Sequence, residues 1–323
     1  MIKLIDHLIV SVGTSLVVNG MRMVEQQQMQ TRVPILMGLL RELSREGMGE
    51  QGTGVDSDLV DHPFQYLRSS SKGIRAKDIV RAFDVLLKEI EEEEADEVYQ
   101  TLMEEILLLL EEGQPGELSA ELSTIFNIGV DEDMSKLKVT LLASDTGVGK
   151  FCADVLQAYF EGREAECELK ISRGLSYGNL RSFERGLISY TNLLISTIES
   201  ALVEKEMVGL VVTGGFKAQV VYSAIIAMLY RIPIIYYNEL FSDVVILPPI
   251  PLKLDRDFWM EYKEILLWFE KPRTEWEIRK KWQSIPSDLE FFLEKTEEKK
   301  RHLSALGRIL IQIYNTSSSL LYI

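Results

Sequence analysis

The stretch Val211-Val-Thr-Gly-Gly-Phe-Lys-Ala-Gln219 joins an apolar β run, Val208 to Val212, to an apolar helical run, Val220 to Tyr230. Thr213 to Lys217 is therefore a strand-to-helix turn. Its two glycines let the backbone approach a ligand closely, the helix start offers unpaired N–H groups, and Lys217 adds a full positive charge at the same point. That combination suits a phosphate. A tight βα turn with a solvated lysine is the competing reading of an isolated Gly-Gly-x-Lys.

Other segments repeat the pattern. His7-Leu-Ile-Val-Ser-Val12 reads as a buried strand, and Gly13-Thr-Ser-Leu16 follows it at once. Ligands collect at strand ends in α/β sheets, so Thr14 and Ser15 would place hydroxyls at that edge. A Ser/Thr cap on the next helix accounts for them equally well. Gly13 and Gly20 do not make the dinucleotide pattern G-x-G-x-x-G. Leu137 to Ala143 is a second buried strand, followed by Ser144-Asp-Thr-Gly-Val-Gly-Lys150 and a helix through Phe160. The comparison with a P-loop fails, because Phe151 follows Lys150 where a Ser or Thr should hold magnesium, and Ser144 stands where the first glycine belongs. Asp145 and Thr146 read as helix caps near a possible site.

Glu168 to Ile171 supplies a third strand and Asn179 to Val203 a long helix. The fifth strand is Ile232 to Tyr237, running into Asn238-Glu239 and on to Leu247-Pro-Pro-Ile-Pro251. Strands alternating with helices predict an α/β fold, a Rossmann-like doubly wound parallel sheet. Between the first two strands, Met21 to Arg45 is helical with Pro34 opening a second helix, and Gly47 to Gly73 reads as a long loop. Ile74 to Glu112 is helical with an acidic solvent face, and Leu118 to Thr124 opens a short helix. The proline cluster places a boundary between residues 1–251 and a small, mainly helical module over 252–323. That module is winged-helix-like, with expected helices over Asp255 to Phe269, Glu275 to Trp282, Asp288 to Leu293 and Leu303 to Tyr314.

With 323 residues, 46% hydrophobic and 26% charged, the chain can bury a sizeable core. A net charge of −15 argues against broad nonspecific nucleic-acid binding, which needs a basic face to displace counterions. Arg279, Lys280, Lys281, Lys299, Lys300 and Arg301 are interleaved with Glu275, Glu277, Glu297 and Glu298. They predict a solvated or dimer-contacting surface rather than a DNA-binding one. Cys152 and Cys167 with His7, His62 and His302 make neither a disulfide framework nor a zinc site. No metal and no cofactor are expected. The start of the chain lacks a basic segment followed by a long apolar core, and Ile106 to Leu110 is too short to span a bilayer, so a cytoplasmic protein is expected.

Taken together, Val12-Gly-Thr-Ser-Leu16 with Asn19, Ser119-Ala-Glu-Leu-Ser-Thr124, Ala143-Ser-Asp-Thr146 with Gly149-Lys150, Thr213 to Gln219, Tyr237-Asn-Glu239 and Leu247 to Pro251 resemble one family. This is the CRISPR-associated Rossmann fold (CARF) family of type III CRISPR systems. Order and spacing carry the likeness, over Leu8 to Pro251. The resemblance implies a two-fold homodimer that binds a cyclic oligoadenylate, foremost cyclic tetra-adenylate, whose symmetry matches the dimer's. It implies ligand contacts from Gly13, Thr14, Ser15, Asn19, Asp145, Thr146, Thr213, Gly214, Gly215, Phe216, Lys217, Gln219 and Glu239. The Arg…His motif of the HEPN ribonucleases carried by many relatives is missing, since no Arg lies at the required spacing before His302. The chain thus looks like the stand-alone class, which includes metal-independent ring nucleases. In those enzymes the matching Ser and Lys, here Ser15 and Lys217, carry cleavage. A non-catalytic sensor asks for the same residues and is the runner-up, and an ordinary Rossmann-like metabolic enzyme comes third.

Overall fold

The computed structural model describes residues 5–27, 32–45, 76–93, 95–113, 115–130, 134–175, 180–238, 243–250, 252, 254–296 and 298–320. Two expectations, the loop over Gly47 to Gly73 and the boundary at Pro251, fall outside these residues.

Five parallel strands form the centre: β1 (His7–Ser11), β2 (Lys138–Ser144), β3 (Glu166–Ser172), β4 (Val208–Val211) and β5 (Ile234–Asn238). A sixth, β6 (Asp243–Leu247), pairs antiparallel to β5, giving the order β3-β2-β1-β4-β5-β6. The sheet is thus mostly parallel rather than wholly so. The expected extended run from Tyr237 towards Pro251 instead folds back as a hairpin edge.

Every residue of β1 and β4 is buried, because both faces of the sheet are covered and alternate side chains enter different cores. Leu8, Val10 and Val12 point into one core, and Ile9 into the other. The first face carries α1 (Ser15–Gln27), α2 (Pro34–Arg45), α3 (Ala76–Glu92), α4 (Asp96–Glu112), α5 (Pro115–Leu118), α6 (Ala120–Asn127) and α7 (Gly147–Glu161). Pro34 does begin a helix, and the amides of Ile35 and Leu36 donate to the buried Glu105 carboxylate of α4 at 2.7 and 2.8 Å. Burial raises that carboxyl above the usual range, against the pull of the two amides. The long helical stretch of Ile74 to Glu112 is two helices, broken near Ala95.

The second face carries α8 (Leu180–Val203) and α9 (Lys217–Leu229). One stretch of α8, Ser182–Val203, is long and apolar enough by composition to cross a membrane, but half of it is buried within the fold. Leu187, Tyr190, Leu194 and Ile198 fill the core against the sheet.

Beyond the sheet come α10 (Arg256–Trp268), α11 (Glu275–Trp282), a 3-10 turn over Ser287–Phe292, a hairpin of β7 (Leu293–Lys295) and β8 (Arg301–Leu303), and α12 (Ala305–Leu320). The sequence reading missed the hairpin, whose strands are three residues each and too short for a visible alternation. An isolated bridge, Arg273 to Arg301, adds a third strand position. The elements follow one another as helix, bridge, helix, 3-10 turn and hairpin. These elements have their own core of Ile265, Leu266, Phe269, Ile278, Leu289 and Leu303. α12 joins two cores, since Ile311 packs there while Ile309 and Ile313 enter the core under α8.

Candidate functional site

The order of the strands reverses between β1 and β4, so the loops leaving their C-terminal ends part there and open the crevice where α/β proteins bind ligands. The two loops are Val12-Gly13-Thr14 and Val212 to Phe216, and they touch through glycine. A Cβ on Gly214 would lie 2.5 Å from Gly13 N and 2.3 Å from Glu121 Oε1, and Gly215 has φ +96°. Gly214 is therefore needed for space, and Gly215 for the left-handed backbone that brings the chain into the helix.

Two helix N-termini face the crevice, and they differ. At α7 the protein supplies its own acceptors. Thr146 Oγ1 accepts from Gly149 N (3.1 Å) as the N-cap, and Asp84 Oδ1 of α3 accepts from Val148 N (2.8 Å). Here the P-loop comparison fails structurally as well, because these amides are already spent. At α9 no side chain caps the helix. Gln219 turns back instead to accept from Phe216 N (2.6 Å). The first-turn amides of Lys217 and Ala218 keep no side-chain acceptor among the described residues, and the dipole there favours an anion. Lys217 is exposed and has no ion-pair partner among the described residues.

The crevice is about 500 Å³ including its open mouth, and is lined by Gly13, Thr14, Asp84, Ser144, Thr146, Gly215, Phe216 and Gln219 with Val12, Val80 and Gly149. Of the expected ligand residues it brings together Gly13, Thr14, Thr146, Gly215, Phe216 and Gln219. Others have different places. Ser15 faces α6, donating to Glu121 Oε2 (3.1 Å) and accepting from Ala120 N (3.1 Å). Thr213 Oγ1 lies 2.7 Å from Thr124 Oγ1 and accepts from Tyr237 N (3.4 Å), joining α6 to the loop and to β5. Asn19 donates to the carbonyls of Glu117 and Leu118, at 3.2 and 3.3 Å, and closes the end of α5. Asp145 does not cap α7 as expected but accepts from Gly174 N (2.8 Å), tying β2's loop to β3's. Glu239 lies outside the described residues.

Asp84, Ser144 and Glu121 were not singled out from the sequence as site residues. Asp84 comes from a helix far away in the chain, where one aspartate among many surface acids carries no signal. Burial raises its carboxyl above the usual range, partly offset by the Val148 amide. Among the described residues no group of three or more His, Cys, Asp or Glu is placed to hold a metal ion.

Fold and crevice define a Rossmann-like α/β protein with an anion-favouring helix start at its switch point. Residues 116–250, from α5 to just past β6, match the model of a family described as CRISPR-associated protein (Cas_APE2256). Over that stretch the chain is similar to a CRISPR-associated family, in line with the resemblance of its motifs. No curated protein matches the chain.

Proposed function

We propose that the protein binds a cyclic oligoadenylate, foremost cyclic tetra-adenylate, and cleaves it without a metal into linear products ending in a 2′,3′-cyclic phosphate, so switching off type III CRISPR signalling. One observation carries the reading: the uncapped start of α9, with Lys217 on its first turn, meets the Gly13 loop at the switch point. Phosphate fits the amides and the lysine. Asp84 repels phosphate from the far wall of the crevice, but its carboxylate and the hydroxyls of Ser144 and Thr146 suit the ribose or base of a nucleotide. A nucleotide in the crevice would send its phosphate over the Gly13–Gly214 contact towards Lys217 and Ser15.

The chemistry asks for geometry and charge. The 2′-hydroxyl attacks the adjacent phosphorus in line, the P–O5′ bond breaks, and negative charge grows on the phosphoryl oxygens. Lys217 and the α9 amides stabilise that charge, and Ser15 orients the attacking hydroxyl.

A ring of several nucleotides exceeds a crevice of about 500 Å³, which supports a two-fold homodimer whose second copy supplies the rest of the cradle. The outward stripe of α9 continues from Lys217 through Val221 (58% exposed) and Ile225 (44%), where a monomer would normally carry polar side chains. Duplex DNA is not part of this reading. The segment in the recognition-helix position is the 3-10 turn with Asp288 and Glu290, and Arg301 beside it is engaged by Glu275 and Glu290.

A non-catalytic sensor remains the second reading, favoured by α12, which enters both the core under α8 and that of the C-terminal elements and could carry a movement between them. Incubation of purified protein with cyclic tetra-adenylate in EDTA, followed by chromatography, separates the two. Linear adenylates support the nuclease, bound but intact ring the sensor, and no binding refutes both.

A further inference from the structure

Glu121 is 1% exposed. It belongs to Ser119-Ala-Glu121, a motif that the functions assigned so far leave unused. An acidic residue in the first turn of a helix gains from the dipole without being buried, so its burial needs another cause. A buried carboxylate is costly unless its oxygens are hydrogen-bonded. Glu121 receives three bonds: Gly13 N donates to Oε1 (2.7 Å), Ser15 Oγ to Oε2 (3.1 Å) and Ser119 Oγ to Oε2 (2.7 Å). Two of the three come from the loop after β1 and the start of α1. Glu121 thus reaches out of α6 to hold the Gly13 loop, and its Oε1 occupies the space that a side chain on Gly214 would need.

Ser15 is left in a defined state. A hydroxyl has one hydrogen and two lone pairs. The hydrogen goes to Glu121, and one lone pair receives Ala120 N. Among the described residues nothing donates to the other lone pair. Ser15 can therefore accept a hydrogen bond from a substrate hydroxyl but cannot donate one. A hydroxyl backed by a carboxylate that is itself fixed by further donors is the arrangement that relays a proton.

We propose that Glu121 is the positioning base of the site, acting through Ser15 on the attacking 2′-hydroxyl. The proposal rests on the ring-cleavage reading. As the 2′-oxygen bonds to phosphorus, its proton passes to Ser15 Oγ while Ser15's own proton passes to Glu121 Oε2. The P–O5′ bond breaks, and the 5′-oxygen takes a proton from water. Once the product has left, Ser15 gives a proton to hydroxide from solvent while Glu121 returns its own to Ser15, which offsets the hydroxide formed at the 5′-oxygen, so charge and protons balance. Ser15 ends with one hydrogen throughout, and Ser119 can keep its bond to the remaining lone pair of Oε2.

The test is single-turnover cleavage and equilibrium binding of cyclic tetra-adenylate by wild type, Glu121→Gln, Ser15→Ala and the double variant, with melting temperatures as the check on folding. General-base assistance contributes roughly 10²–10⁴ in rate, so each single variant should cleave at least about 100-fold more slowly while its Kd stays within about threefold. The double variant should be no slower than the slower single one, because the two residues act as one unit. A merely structural glutamate predicts the opposite: binding lost in proportion to cleavage, and losses that multiply. If Glu121→Gln does not fold, Glu121→Asp keeps the charge but is too short to hold Gly13 and Ser15 together. It should lose cleavage at least tenfold with binding kept. Wild-type rates in either variant, or multiplying losses, overturn the role of Glu121 alone. A wild type that leaves the ring intact overturns the ring-cleavage reading and this inference with it.

Discussion

In the proposed site Lys217 supplies the positive charge, and its contribution can be separated from that of the backbone around it. In Lys217→Ala the α9 amides and the glycine backbone remain and keep part of the affinity for phosphate. Cleavage should fall by about 10²–10³, and binding by much less, because the charge Lys217 opposes grows towards the transition state. Single-turnover rates and Kd measured on the same preparation decide it. Equal losses would make Lys217 a binding residue and favour the sensor. Gly214 tests the steric argument. In Gly214→Ala the new Cβ would fall 2.3 Å from Glu121 Oε1, a side-chain end tied down by Gly13 N, and 2.5 and 2.8 Å from the backbone atoms Gly13 N and Ser11 O, which cannot swing away. The variant should lose about 1–3 kcal/mol of stability together with ring binding. Gly38→Ala is its control: in α2, with nothing within 4 Å of the added atom, it should be neutral or stabilise by up to about 1 kcal/mol. Denaturant titrations of both variants give the comparison.

At the level of elements, α7 and α9 explain why one strand-to-helix turn suits an anion and the other does not. Both begin at the same sheet edge with glycine-rich turns, yet Thr146 and Asp84 claim the amides of α7, while Gln219 caps only the residue before α9. The outward stripe of α9 is the element expected to meet a second copy. Val221→Glu combined with Ile225→Glu places two like charges on a face already exposed, so the fold should hold while the dimer dissociates. Light scattering should then report a monomer, and ring binding should weaken at least tenfold if each protomer supplies only part of the cradle. A dimer that persists would put the interface elsewhere.

Across the whole molecule, the edge of the sheet away from the crevice carries a buried polar cluster that should govern acid stability. His7 Nδ1 lies 2.7 Å from Glu206 Oε2 and Nε2 2.9 Å from Thr140 Oγ1, and Lys138 Nζ reaches Glu206 Oε1 at 2.9 Å. Burial holds His7 below its ordinary value, outweighing the hydrogen bond and charge of Glu206, which push it up, while Lys138 and Lys170 add to the lowering. For Glu206 burial works upwards, but the hydrogen bonds of Lys138 and His7 hold it below the usual range. Both signs agree. Below pH 6.5 the unfolded chain binds a proton at His7 that the folded one still refuses, and at lower pH the same applies to Glu206. Stability is therefore full above pH 6.5 and declines as the pH falls through the depressed folded values. The melting temperature should drop from pH 7.5 to about 5.5 in wild type and drop less in His7→Gln. An equal drop in both would remove His7 as the cause.

Legible in the chain alone are the alternating β and α pattern, the strand-to-helix turns at Gly13 and Gly214, and Pro34 as a helix start. These are local: apolar runs of strand length, glycines at turns and a proline whose missing N–H is harmless at a first helical position. The chain also carries a resemblance to a CRISPR-associated family, with which the family match over residues 116–250 agrees. Tertiary structure decided what periodicity does not encode. The antiparallel turn of β6 and the short hairpin of β7 and β8 depend on which edge is free to pair. Asp145 left its cap position for Gly174, more than twenty residues on, and Asp84 reached α7 from another helix, because long-range donors compete with local ones once strands are side by side. Glu121 shows the limit most plainly. In the chain it is one acid in the first turn of a helix, and only the close approach of the loops after β1 and β4 leaves it buried with Gly13 and Ser15 as its partners.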